Sequence, residues 1–102
     1  MVDELSGKEF EAFTKKGLVV VDFFAEWCMP CIMLAPVIEE ISDKMKKIKF
    51  GKVNIDDSRD ISEEFAVMSV PTLIVFKDGK EVDRIVGSLP SDVLEERLSK
   101  FL

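Results

Sequence analysis

The sequence predicts an α/β fold built on a mixed central sheet with helices on both faces. Two runs, Leu18–Phe24 (LVVVDFF) and Leu73–Phe76 (LIVF), are β-branched and aromatic and apolar on both faces, as strands covered from two sides are. Segments with helical spacing alternate with such runs, giving the order α-β-α-β-α-β-β-α. The 102 residues are 47% hydrophobic, which suffices for one core and excludes a disordered chain. No repeat, linker or low-complexity stretch interrupts them, so residues 1–102 are expected to form a single domain.

The elements follow in order. Ser6 and Glu9 have capping-box spacing, and Phe10 and Phe13 lie on one side of a short helix that ends near Gly17. Leu18–Phe24 is a central strand. A longer helix is expected from about Met29 to Met45, with Leu34, Val37, Ile38, Ile41 and Met45 on its apolar stripe and a kink at Pro36. Phe50–Ile55 reads as a second strand. Asp57 or Ser58 caps a short helix that contains Ile61 and Phe65. After Val70-Pro71-Thr72 comes the Leu73–Phe76 strand. Lys77-Asp78-Gly79-Lys80 carries the Asp-Gly hairpin signal, and Val82, Arg84 and Val86 alternate with Asp83 and Ile85 in the returning strand. Pro90 or Ser91 opens a last helix, with Leu94, Leu98 and Phe101 facing inward. The early strand–helix–strand units predict right-handed crossovers and parallel pairing, and the late hairpin adds an antiparallel edge.

Charge narrows the function classes. The net charge of −6 disfavours nucleic acid or an anionic membrane as partner, since both call for a basic face. The longest apolar run is broken by Asp22 and is far too short to span a bilayer. The first fifteen residues include Asp3, Glu4, Lys8, Glu9 and Glu11 and have no apolar centre, so no export leader is expected and the cytoplasm is the expected location.

The chemistry centres on the only two cysteines, in Trp27-Cys28-Met29-Pro30-Cys31. A Cys-x-x-Cys pair where a buried strand gives way to a helix can form a bridge. Its first sulfur sits at a helix N-terminus, where unpaired N–H groups and the helix dipole favour a thiolate. That arrangement suits dithiol–disulfide exchange. A zinc half-site or an inert pair is the competing reading, but the chain has no His and no third Cys to complete a zinc site. Asp22 interrupts an otherwise apolar strand. Loss of water there should raise its pKa, so that it exchanges a proton near neutral pH; the competing reading is a structural ion pair. Pro71 stands at the mouth of a covered strand, where proline marks a strand start or a bulge.

These residues resemble the thioredoxin family over nearly the whole chain. The matching pieces are VVVDFFAEWCMPC, Ala35-Pro36, KVNID from Lys52 to Asp56, VPT from Val70 to Thr72, FKDG from Phe76 to Gly79, and Val86-Gly87. The resemblance implies that Cys28 attacks and Cys31, one turn on and deeper, resolves, the two forming the redox disulfide. It places Asp22 beneath Cys31 as the group that assists its deprotonation, with Lys52 as the carboxylate's partner. It implies a cis Val70–Pro71 bond, whose loop pairs with an extended substrate. It assigns Trp27, Met29, Pro30, Ile55, Val70 and Gly87 to a flat apolar rim around an exposed sulfur. It also implies a first strand within Val2–Leu5, short or absent in this chain.

Two positions depart from the family. Met29 stands where glycine is usual after the first cysteine, and Ile32 where lysine is common after the second. Both make the site more apolar, and Ile32 removes a positive charge near Cys28, so altered partner choice and a shifted potential are expected. The function expected is a protein disulfide reductase without cofactor or metal. It would act as a monomer on disulfide-containing proteins and be recharged by a reductase of the thioredoxin-reductase type. The alternatives are a glutaredoxin-like or dedicated electron carrier for one enzyme, and a non-catalytic binding module. A binding module has no physical need for Cys28, Cys31, Asp22, Lys52 and Pro71 together.

Overall fold

A computed structural model describes all residues from Met1 to Leu102. The order is β1 (Asp3–Glu4), α1 (Gly7–Thr14), β2 (Leu18–Phe24), α2 (Met29–Lys44), β3 (Lys49–Asn54), α3 (Arg59–Glu64), β4 (Thr72–Lys77), β5 (Lys80–Val86) and α4 (Ser91–Ser99). The strands form one sheet in the order β1-β3-β2-β4-β5. The short first strand exists: Asp3 and Glu4 pair in parallel with Gly51 and Lys52 of β3.

Alternation along β2 divides the core. Val20 faces Leu34, Ile38 and Ile41 of α2 and Leu94 and Leu98 of α4, whereas Val19, Val21 and Phe23 face Phe10 of α1 and Ile61 of α3. Asp22 shares the parity of Val20, so its carboxyl projects to the α2 side. The capping box at Ser6 and Glu9 forms as expected, with the Ser6 N–H donating to Glu9 Oε1 at 3.0 Å. Ser58 holds the N-cap position of α3 without a side-chain capping bond. Phe101 lies just past α4, half-buried against the core. Pro36 offers no N–H to the preceding turn, yet α2 runs on to Lys44.

One pairing departs from expectation. β2 and β3 are parallel, but β4 runs antiparallel to β2, with Val20 opposite Val75 and Asp22 opposite Leu73. A parallel crossover would have to carry the chain back along β3, about 20 Å for six residues. Instead the connection from residue 55 to residue 71 returns the chain to the end of the sheet where β3 finishes, and β4 starts beside the β2–α2 junction. The β4–β5 hairpin turns through Asp78 (φ 49°) and Gly79 (φ 86°), the pair of positive φ values that a tight two-residue hairpin requires.

Candidate functional site

The β2–α2 junction assembles the site. Cys28 is the N-cap of α2, Met29 is its first helical residue, and Pro30 occupies the first turn, where a missing N–H costs nothing. Cys28 Sγ takes the place of the usual capping oxygen: the Cys31 N–H donates to it at 3.2 Å. The two sulfurs are joined as a disulfide, with the Cα atoms 5.3 Å apart, within the ordinary span for such a bridge. Cys28 Sγ also lies 3.7 Å from the Val70 carbonyl oxygen. The Val70–Pro71 peptide bond is cis, Pro71 is buried, and its carbonyl accepts the Gly87 N–H at 2.9 Å. Gly87 has a φ of 90°, which glycine adopts without steric cost. Val70, Gly87 and the cysteines thus meet at one end of the sheet.

Burial does not separate the two sulfurs as expected. Cys28 is 4% exposed and Cys31 3%, because Ile55, Phe24 and Val70 pack against the cluster of Ala25, Cys28 and Cys31. The expected exposed sulfur and deeper partner are therefore not what this disulfide form displays. What separates them is surroundings. Cys28 lies against the Val70 carbonyl, whereas Cys31 lines a cavity of about 280 Å³ that also touches Asp22, Glu26, Ile32 and Lys52.

Asp22 is 5% exposed, and its Oδ1 has no hydrogen-bond partner. Burial pushes its pKa up to about 7, against a smaller downward pull from Lys52. Lys52 is the register partner of Asp22 on β3, but its ammonium sits 5.6 Å from the centre of the Phe24 ring rather than in contact with the carboxylate. It acts on Asp22 through space.

The expected rim residues gather around the pair. Trp27 and Met29 are 71% and 66% exposed, Pro30 is exposed, and Ile55, Val70 and Gly87 are half-buried. The structure adds contacts that the sequence reading did not single out. The Trp27 indole N–H donates to Asp56 Oδ2 at 3.0 Å. Asn54 bridges the same region: its Nδ2 donates to Glu26 Oε1 at 3.3 Å, and its Oδ1 accepts the Asp56 N–H at 2.9 Å. The one available signal was the position of Asn54 and Asp56 inside the KVNID stretch.

The comparisons with known proteins agree with this geometry. The thioredoxin family model matches residues 1–100. The chain belongs to the thioredoxin family. It is 52% identical to a thioredoxin of Chlamydia caviae over 92% of each chain, and 43% identical to one of Bacillus subtilis over 93% of this chain and 92% of the relative. Among solved structures, it superposes on a Plasmodium falciparum thioredoxin with a TM-score of 0.91 at 37% identity, covering 99% of this chain and 100% of that one. A mutant thioredoxin from Halobacterium salinarum gives a TM-score of 0.92 at 31% identity, covering 97% and 88%. Its function is that of a thioredoxin-type dithiol–disulfide reductase. Membership implies disulfide-bonded protein substrates and a reductase as electron donor. No helix is long and apolar enough to cross a membrane.

Proposed function

We propose that Cys28 is the attacking thiol and Cys31 the resolving one, in a cycle that delivers two electrons to a substrate disulfide. The observation that supports this most directly is the capping bond from the Cys31 N–H to Cys28 Sγ: a helix N-terminus that donates to a sulfur favours its anionic form. The Cys28 thiolate attacks one substrate sulfur, and the other substrate sulfur leaves as a thiolate. Cys31 then gives its proton to the Asp22 carboxylate across their shared cavity and attacks Cys28 Sγ. The Cys28–Cys31 disulfide closes, and the second substrate sulfur departs. A pKa of about 7 suits Asp22 to this work, since both of its protonation states are populated near neutrality. Lys52 tunes that carboxyl through space.

Trp27, Met29, Pro30, Ile55, Val70 and Gly87 form the docking rim, and the Val70–Pro71 loop offers backbone to an extended substrate. The partners are disulfide-bonded proteins and a reductase of the thioredoxin-reductase type, with neither nucleic acid nor membrane among them. The chain works as a monomeric single domain in the cytoplasm, without cofactor or metal. A Cys31→Ser variant should accumulate mixed disulfides with a disulfide-bonded test protein, and Cys28→Ser almost none. Equal trapping by both variants would reverse or abolish the assignment.

A further inference from the structure

We propose that Met29, Met33 and Met68 form an oxidisable collar on the docking face, and that hydroperoxides weaken protein-substrate docking by converting them to methionine sulfoxides. This rests on the docking role proposed above for the face around Cys28. The chain has five methionines, and their placement is uneven. Met29, Met33 and Met68 are 66%, 73% and 92% exposed, whereas Met45 is 9% exposed. Chain connectivity ties each of the three to the face around the redox pair. Met29 lies between the cysteines. Met68 is two residues from Val70, whose carbonyl oxygen is 3.7 Å from Cys28 Sγ, so its Cα is within about 7 Å of that of Val70. Met33 lines a surface groove of about 310 Å³ with Leu89 and Ser88, and Ser88 adjoins Gly87 on the rim. Met1 is also exposed, at 82%, but its ammonium is tied to Ser42 Oγ at 2.8 Å, some eleven residues and about 16 Å along α2 from Cys31.

The chemistry balances with a hydroperoxide as oxidant. The thioether sulfur takes one oxygen atom and is oxidised by two electrons, the O–O bond breaks, and the peroxide leaves as water or an alcohol. A sulfoxide is polar and chiral where the thioether was soft and apolar, so an apolar contact surface becomes a hydrated one. The step is reversible by methionine sulfoxide reductases. Closing Cys28 and Cys31 as the disulfide leaves no thiolate to compete for the oxidant. The result is a docking surface whose affinity follows the surrounding peroxide level separately from the state of the disulfide.

The test treats the disulfide form with hydrogen peroxide, maps the sulfoxides by peptide mass spectrometry, removes the oxidant and measures reductase activity. Oxygen should appear on Met29, Met33 and Met68, and on the remote Met1, but not on Met45. KM for a disulfide-bonded test protein should rise roughly fivefold to tenfold, while the rate with a small aromatic disulfide, which needs no rim, stays unchanged. A Met29→Leu/Met33→Leu/Met68→Leu variant, compared with its own untreated form, should retain its KM after peroxide. The proposal is overturned by full oxidation with an unaltered KM, by failure of the three to oxidise, or by equal sensitivity in the triple variant. A parallel loss with the small disulfide would also overturn it, by placing the damage at the cysteines. Failure of the untreated protein to reduce the test protein at all would instead sink the proposed function.

Discussion

Asp22 and Lys52 face each other across the β2–β3 register without forming an ion pair. One carboxylate oxygen of Asp22 stays buried and unbonded, and the Lys52 ammonium lies by the Phe24 ring. A structural salt bridge would quench the carboxylate and hold its pKa low. Here burial outweighs the distant cation, and the pKa rises to about 7.

That shift links the site to stability. Below about pH 4 the carboxyl becomes protonated in both the folded and unfolded chain and adds no charge penalty. Between about pH 4 and 7 the unfolded chain releases a proton that the folded chain keeps, so stability falls as pH rises. Above about pH 7 the full penalty applies, on the order of 4 kcal/mol for a shift from 3.8 to about 7. Asp22→Asn should therefore raise the melting temperature at pH 8 and give almost no gain at pH 4. The same substitution should slow resolution of a mixed disulfide near pH 7 while leaving the first attack less affected. Melting curves across this range and stopped-flow reduction measure the two effects. A stabilisation of equal size at both pH values would show that Asp22 ionises normally.

Lys52→Met keeps the aliphatic stem beside Phe24 and deletes the charge. Lys52 draws the Asp22 pKa downward, so its loss should move that pKa above 7, and the pH dependence of resolution should shift to higher pH with it. Carboxyl-carbon NMR titration of Asp22 reads this directly. A downward movement would show that Lys52 acts on Asp22 through packing rather than charge.

Much of this was legible in the chain, because the signals were local. The Leu18–Phe24 strand, the Asp78-Gly79 turn and the cap at Ser6 each follow from a few adjacent residues. The direction of β4 was not legible, because the connection from residue 55 to residue 71 is long enough for either direction, and no periodicity records which one it takes. At the site, Asp22 announced itself as a carboxylate in an apolar strand. Asn54, Asp56 and Glu26 did not, because a polar residue at a strand end or in a loop is ordinary, and only the fold brings Asn54 and Asp56 beside Glu26 and Trp27. The near-equal burial of the two cysteines likewise comes from Ile55 and Val70, which arrive from other elements.

Gly51 shows how the short first strand is held. A Cβ there would stand 2.8 Å from Leu5 Cδ1 and 3.1 Å from Phe13 Cε2, and Leu5 is buried. Leu5, which follows the two-residue β1, packs its side chain over β3 in the space that Gly51 leaves free. Gly51→Ala should cost about 1–3 kcal/mol in chemical denaturation, by displacing Leu5 and loosening β1. Leu5→Ala in the same background should relieve part of the clash, giving less than additive losses. Full additivity would show that Leu5 is not the obstructing group.

Trp27 is the only tryptophan, and its indole is pinned by Asp56 next to Cys28, so its emission should report the redox state. A disulfide near an excited indole accepts an electron and quenches it, and separate thiols quench less. Reduction should therefore raise emission with little change in far-UV circular dichroism, since the sheet and helices need not move. A Cys28→Ser/Cys31→Ser protein should emit like the reduced form in any buffer. The Asp56 carboxylate decides how sharp this contrast is: Asp56→Ala removes the acceptor of the indole N–H and frees the ring. That variant should show lower fluorescence anisotropy and a smaller difference between oxidised and reduced protein, while Asp56→Asn, which keeps an acceptor oxygen, should resemble the parent. Identical emission from the oxidised and reduced parent would place the indole out of reach of the sulfurs and remove Trp27 from the rim, leaving the exchange chemistry of Cys28 and Cys31 untouched.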